Sequence, residues 1–189
     1  WLQLFLKSNP GISLRKPEST SVNRIMAFNE ESVKTFFINL ENLMQTYNFS
    51  LSRIFNVDKT GISTVQKPSK QLGPKGIKQF GSKTSWERGK NVTAICAMNA
   101  SGNYIPPLII FPRKRLLPAK TRNGPLEAIY YVHTNGWTNK NCFLQWLKHF
   151  KLHTNSSFTN PVLLVLDNHY SHISLPIYNY CKHNGIVML

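Results

Sequence analysis

Apolar and polar positions along this chain follow two different periods. Val33, Phe36, Phe37, Leu40, Leu43, Met44 and Tyr47 recur at helical spacing and predict one amphipathic helix with a single packing stripe. Asn29 is placed to cap it, and Glu30 and Glu31 fall in its first turn, where carboxylates complement the helix dipole. Phe143, Trp146, Leu147 and Phe150 repeat the pattern and predict a second helix over residues 139–152. Elsewhere the apolar residues are contiguous. Residues 162–166 run into Asp167 without a polar interruption, as in a strand buried on both faces. Residues 53–58 end in the same way, at Asp58, before Lys59, Thr60 and Gly61. Residues 93–98 and 104–111 read as two strands joined by a hairpin turn at 99–102, with Pro106 and Pro107 suggesting a sheet edge. A third helix starts near Ser174, with Pro176 in its first turn and Asn184 and Gly185 at its end, and residues 186–189 begin another buried strand. The order is helix, three strands in a meander, helix, strand, helix, strand. It predicts an α/β fold with a mixed sheet, antiparallel first and parallel after.

Two stretches lack such periodicity. Trp1, Leu2, Leu4, Phe5 and Leu6 suit the end of an amphipathic helix, which Pro10 and Gly11 break before a polar, basic linker over 14–23. Residues 67–90 are loop-like and carry Lys67, Lys70, Lys75, Lys78, Lys83, Arg88 and Lys90 against one acid, Glu87. Phe80 and Trp86 interleave with those charges and suit stacking on, or wedging between, bases. The run reads as a phosphate-contacting loop, to which Arg113, Lys114 and Arg115 add. The alternative is a solvated face that only aids solubility.

Composition narrows the class. The chain has 189 residues, 41% hydrophobic and 12% aromatic, enough for a globular core. Its net charge of +15 favours polyanionic partners, nucleic acid first and an anionic membrane surface second. Cys96, Cys142 and Cys181 form no C-x-x-C pair, which argues against a disulfide framework and fits a reducing compartment. No apolar stretch approaches the length of a membrane span, so no membrane role is expected. The start at Trp1 suggests a piece of a longer protein.

Of eight acidic residues only two are Asp, and both, Asp58 and Asp167, close strand-like segments. Two isolated carboxylates on core strands suit Mg2+ or Mn2+, which take oxygen ligands and complete their shells with water and phosphate. A pair of such ions can activate a nucleophile and stabilise the leaving oxygen of a phosphodiester. A plainer reading has each Asp cap a turn, and sequence physics leaves both open. His169, His172 and His183 raise the question of zinc, but no cysteine lies at the usual spacing. His169 could orient substrate or a metal-bound water, although a surface-turn role accounts for it more simply. Residues 76–84 (GIKQFGSKT) resemble a phosphate-binding Walker loop, but Ser82 is inserted before Lys83 and no apolar strand precedes. No G-x-S-x-G elbow supports acyl transfer.

Four segments in order, RIFNVDKTGIS, SWERGKNVTAICAMNASGNYIPPLIIFPRKR, GWTNKNCFLQWLKHF and VLLVLDNHYSHIS, resemble the DDE endonuclease domain of pogo-type transposases, in the Tigger and jerky branch that includes centromere protein B. The resemblance covers nearly the whole chain. It implies residues 1–28 as the end of an N-terminal helix-turn-helix DNA-binding module with its linker, and 29–189 as a partial endonuclease domain. The implied fold is a ribonuclease-H-like mixed sheet, a three-strand antiparallel meander plus parallel strands with flanking helices, truncated at the C-terminus. Asp58 and Asp167 match the family's first two catalytic, metal-binding acids. The third lies downstream, and none of the 22 residues after Asp167 is acidic. Lys59 stands where the family usually has Glu, and strand alternation points it away from the Asp58 face. The implied activity is Mg2+-dependent cleavage and transfer of DNA strands in the nucleus, with DNA and a second copy of the chain as partners. The rival expectation is a host-adopted, non-catalytic DNA-binding protein of the jerky or centromere-protein-B type.

Overall fold

The computed structural model describes residues 1–11, 13, 29–63, 91–167 and 169–189. These fall into two compact units, Trp1–Leu43 and Met44–Leu189. In the first, helix α1 (Leu2–Ser8) ends at Asn9, whose side-chain amide donates to the Phe5 carbonyl at 2.9 Å. The predicted long helix is α2 (Glu30–Tyr47), which runs across the division between the units. The Asn29 side chain caps it by accepting from the Ser32 amide at 2.9 Å. Its apolar stripe, expected to be a packing face, has no buried residue. The basic run 67–90, with Phe80 and Trp86, the Walker-like segment 76–84 and the linker 14–23 lie outside the described residues.

The second unit is built on one six-stranded sheet. Its strands are β1 (Ile54–Ser63), β2 (Asn91–Asn99), β3 (Tyr104–Phe111), β4 (Ile129–Val132), β5 (Val162–Val165) and β6 (Ile186–Met188), in the order β4-β3-β2-β1-β5-β6. β2 runs against its neighbours and the other five share one direction. Loops leaving five strands therefore gather at one end of the sheet. Helices α3 (Lys140–Thr154) and α4 (Leu175–His183) contribute Phe143, Trp146, Leu147, Phe150 and Ile177 to a core that also takes Phe55, Val57, Ile95, Leu108 and Leu164 from the strands. Asn139 starts α3 by accepting from the Cys142 amide at 2.8 Å. Gly185 turns the chain from α4 into β6 at φ +65°, so close to the Ser157 carbonyl that a Cβ there would overlap its oxygen.

Three expectations need correction. β4 was not foreseen; it pairs in parallel with β3 from Leu108 to Phe111 and adds a strand beyond the three-strand antiparallel meander. That pairing makes β3 internal, not an edge. Pro106 and Pro107 are tolerated there because the β2–β3 register shifts between Ile95 and Ala97, leaving no regular ladder opposite them. β1 does not end at Asp58 but continues through Thr60 and Gly61 to Ser63, paired with β2 throughout. The turn-cap reading of Asp58 therefore fails.

Arg53 fixes how β1 meets β5. Its guanidinium donates to the carbonyls of Thr154 (2.6 Å), Pro161 (3.2 Å) and Asn160. One fork thus ties the start of β1 to the end of α3 and the entry of β5, directly before the first parallel row, Ile54 with Leu163.

Candidate active site

The parallel rows Ile54–Leu163, Phe55–Leu164 and Asn56–Val165 set the level of everything beyond them. Asp58, within β1, and Asp167, two residues past the end of β5, each lie four residues past the first row and so fall at one height. Phe55 and Val57 are buried toward the helices, while Asn56 and Asp58, which alternate with them, are exposed. Exposed Cys96 lies directly across from Asp58, and all three cysteines are free.

Asp58 accepts the Lys59 amide on Oδ1 at 2.7 Å. Asp167, half exposed at 54%, is held more firmly: its Oδ1 lies 2.8 Å from His172 Nδ1, which also lies 3.1 Å from the Asp167 carbonyl oxygen. The His172 ring is buried and packs on Phe143 at 4.1 Å between centroids. Burial pushes the His172 pKa below the usual histidine value, and nearby Lys59 and His169 act in the same direction against the pull of Asp167. The ring is therefore neutral at pH 7, with its Nδ1 proton donated to the acid. Its Nε2 is buried without a hydrogen-bond partner among the described residues.

Lys59 is the third component. By alternation it lies on the helix-covered face, opposite buried Ile95, and its side chain is 14% exposed. Its Nζ nevertheless reaches to 4.0 Å from Asp167 Oδ2. Burial lowers the ammonium's pKa, and the charges of Asp167 and then Asp58 oppose that shift.

Neither His172 nor Lys59 was assigned a role at the acid pair from sequence. The only hint was the spacing Asp167–His172 across a turn, which does not reveal burial. His169 is half-buried and shares a 2.8 Å contact with Ser171, and His183 is exposed and bonded to the Asn179 carbonyl. No group of three histidines, cysteines or acids is arranged to hold a metal among the described residues. Two carboxylates with free oxygen lone pairs still suit Mg2+ or Mn2+, which bind through one or two carboxylates and fill the remaining positions with water and phosphate oxygens.

Arg113, Lys114 and Arg115 follow β3 at the same end of the sheet. β3 stands two strand spacings from β1, about 10 Å. The strands flanking the basic run 67–90 are paired at Ser63 and Asn91, so the chain leaves and re-enters the sheet at this end. A cavity of about 220 Å3 opens beside Asp167, lined also by Leu166, His172, Ile173, Met188 and Leu189. A larger one of about 480 Å3, between Tyr47, Phe158, Tyr178 and Met188, has no acidic residue in its wall and lies apart from this chemistry.

Residues 89–189 match the family model described as DDE superfamily endonuclease, more than half of the chain and inclusive of Asp167. The chain belongs to the DDE superfamily endonucleases. The motif-based assignment thus holds at the level of the superfamily. Among curated proteins, a Cochliobolus lunatus protein named MFS-type transporter clz9 is 31% identical over 140 residues, which is 72% of this chain and 15% of the relative. No helix among the described residues is long and apolar enough to cross a membrane. Solved structures of Mos1 transposase superimpose over the whole chain: a paired-end complex with the left transposon end (TM-score 0.56, 17% identity) and a pre-cleavage transpososome (0.57, 15%). A Mos1 mariner paired-end complex with Mn matches over 99% of the chain (0.53, 16%). At these identities the likeness shows the fold, which is ribonuclease-H-like. This DDE chain spans about half the length of those Mos1 chains.

Proposed function

We propose that this chain is the cation- and DNA-binding part of a transposase of the pogo type, which in its complete form cleaves and transfers DNA strands at transposon ends. The observation that carries the reading is the shared level of Asp58, within β1, and Asp167, two residues past the end of β5, with the basic segments leaving the sheet further along in the same direction. Asp58 and Asp167 hold Mg2+ or Mn2+; the ion, when bound, lowers the pKa of water and neutralises charge on the phosphate oxygens. His172 keeps the Asp167 carboxylate oriented through its Nδ1 proton, as partners behind metal ligands commonly do. Arg113, Lys114 and Arg115, together with the 67–90 run, contact DNA phosphates independently of sequence. The superfamily match, which includes Asp167, supports the endonuclease reading over a binding-only protein. Solved relatives are paired-end complexes, and a homodimer and a nuclear location belong to the same proposal.

The test is Mn2+ binding by the purified chain, followed by the paramagnetic resonance of the free ion. Asp58→Ala and Asp167→Ala should each weaken binding by at least about tenfold, since either loss removes one of two carboxylates. Equal affinity in all three proteins refutes the metal assignment. In parallel, neutralising Arg113, Lys114 and Arg115 should flatten the salt dependence of DNA binding by roughly one unit of slope per lost phosphate contact.

A further inference from the structure

Lys59 has no role in the scheme above, yet it touches both acids. Its amide hydrogen-bonds Asp58 Oδ1, and its ammonium lies against Asp167 Oδ2. We propose that Lys59 is the resident counter-ion of the acid pair, holding the Asp167 side of the cation position, so that a divalent ion binds only by displacing it. The inference rests on the reading of Asp58 and Asp167 as cation ligands and adds a determinant of how tightly they hold one.

The geometry favours this over a structural ion pair in three ways. First, the 4.0 Å separation is beyond the roughly 2.7–2.9 Å of a charge-assisted hydrogen bond, so the ammonium offsets charge without being locked to the oxygen. Second, Asp167 Oδ1 is already taken by His172, which leaves Oδ2, the oxygen facing Lys59, for any incoming ion. Third, among the described residues Lys59 is the one lysine or arginine within ion-pair distance of either aspartate. One positive charge set against two carboxylates leaves the pair still anionic. The site therefore still attracts a divalent ion, which must compete with a cation tethered to the chain. A displaced ammonium needs a new partner, and a DNA phosphate supplies one. Cation loading is thereby coupled to substrate.

The test is Mn2+ titration of the folded chain and of Lys59→Met, Lys59→Gln, Lys59→Arg, Asp58→Ala and Asp167→Ala, with circular dichroism to establish folding. Removing a unit charge about 4 Å from a ligand oxygen should tighten Mn2+ binding by about tenfold or more in Lys59→Met and Lys59→Gln. Lys59→Arg, whose planar fork matches a carboxylate better, should weaken it. That variant keeps the charge and serves as the test if the neutral ones do not fold. Neutral variants with wild-type or weaker affinity, or an arginine variant with tighter binding, overturn the role of Lys59. If the aspartate variants lose binding in the same experiment, only the Lys59 role has failed. If they bind as wild type, the acid pair is not the cation site and both readings fall.

Discussion

Arg53 is the residue on which the level of the two aspartates depends, and its removal gives a worked prediction. The guanidinium donates to three carbonyls, those of Thr154, Asn160 and Pro161, across more than a hundred residues of chain. A hydrogen bond to a charged group contributes about 1.5–3 kcal/mol net, but such bonds from one fork are not additive. Asn160 is exposed and Pro161 half-buried, so water can satisfy their carbonyls once the arginine is gone. Thr154 is buried, and its carbonyl has less recourse. Arg53→Met, which keeps the stem and removes the donors, should therefore cost about 2–4 kcal/mol. Arg53→Lys should recover little of that, because one ammonium cannot reproduce the fork. Urea denaturation followed by circular dichroism should show the midpoint falling by about 1–2 M at unchanged slope. Because the clamp adjoins the Ile54–Leu163 row, Mn2+ affinity should fall as well. A variant with wild-type midpoint and wild-type Mn2+ affinity would refute the claim that Arg53 sets the β1–β5 junction.

Two further predictions concern the body of the fold. His149 is buried, its Nε2 2.9 Å from the Pro106 carbonyl, and burial pushes its pKa below the ordinary histidine value. A depressed folded-state pKa means that the unfolded chain takes up the proton first; stability is present above about pH 6.5 and declines as pH falls through the folded value. His149→Gln should make stability between about pH 7 and 5 less pH-dependent, read from urea midpoints, and an unchanged pH profile would refute the buried neutral state. Gly185→Ala places a methyl group against the Ser157 carbonyl at positive φ and should cost about 2–4 kcal/mol or abolish folding, read from soluble yield and urea midpoint; a neutral result would show that the α4–β6 turn has room to relax.

The elements that sequence revealed best are those whose pattern is local. β3 lies at its expected bounds because Tyr104–Phe111 is an unbroken run, and α3 follows its stripe and its Asn139 cap. β4 was missed although Ile129–Val132 is a short run of β-branched and aromatic residues; at four residues, between turn-like stretches, it carried too little pattern to set its pairing with β3. β1 continued past Asp58 because β2 supplies partners from Phe55 to Ser63, and that pairing outweighs the turn preference of Thr60 and Gly61. The acid pair was legible because Asp is so rare in this chain. Its attendants were not. His172 is buried by Phe143, a residue of α3 that only the folded chain brings to it, and Lys59 reaches Asp167 by the length of its side chain, about which strand alternation says nothing.

The charge of the chain and the charge of its site oppose each other, and that opposition bears on how DNA and cation would act together. A net charge of +15 draws a polyanion from a distance, the more so at low salt. At close range the phosphate would meet Asp58 and Asp167, two carboxylates that repel it. Lys59 offsets at most one of those charges, and at 4.0 Å it does so loosely. A phosphate placed there without a further cation would face net repulsion, and a divalent ion placed there without phosphate would contend with Lys59. On the proposed reading each therefore favours the other, and their binding is positively coupled by the same free energy in either order.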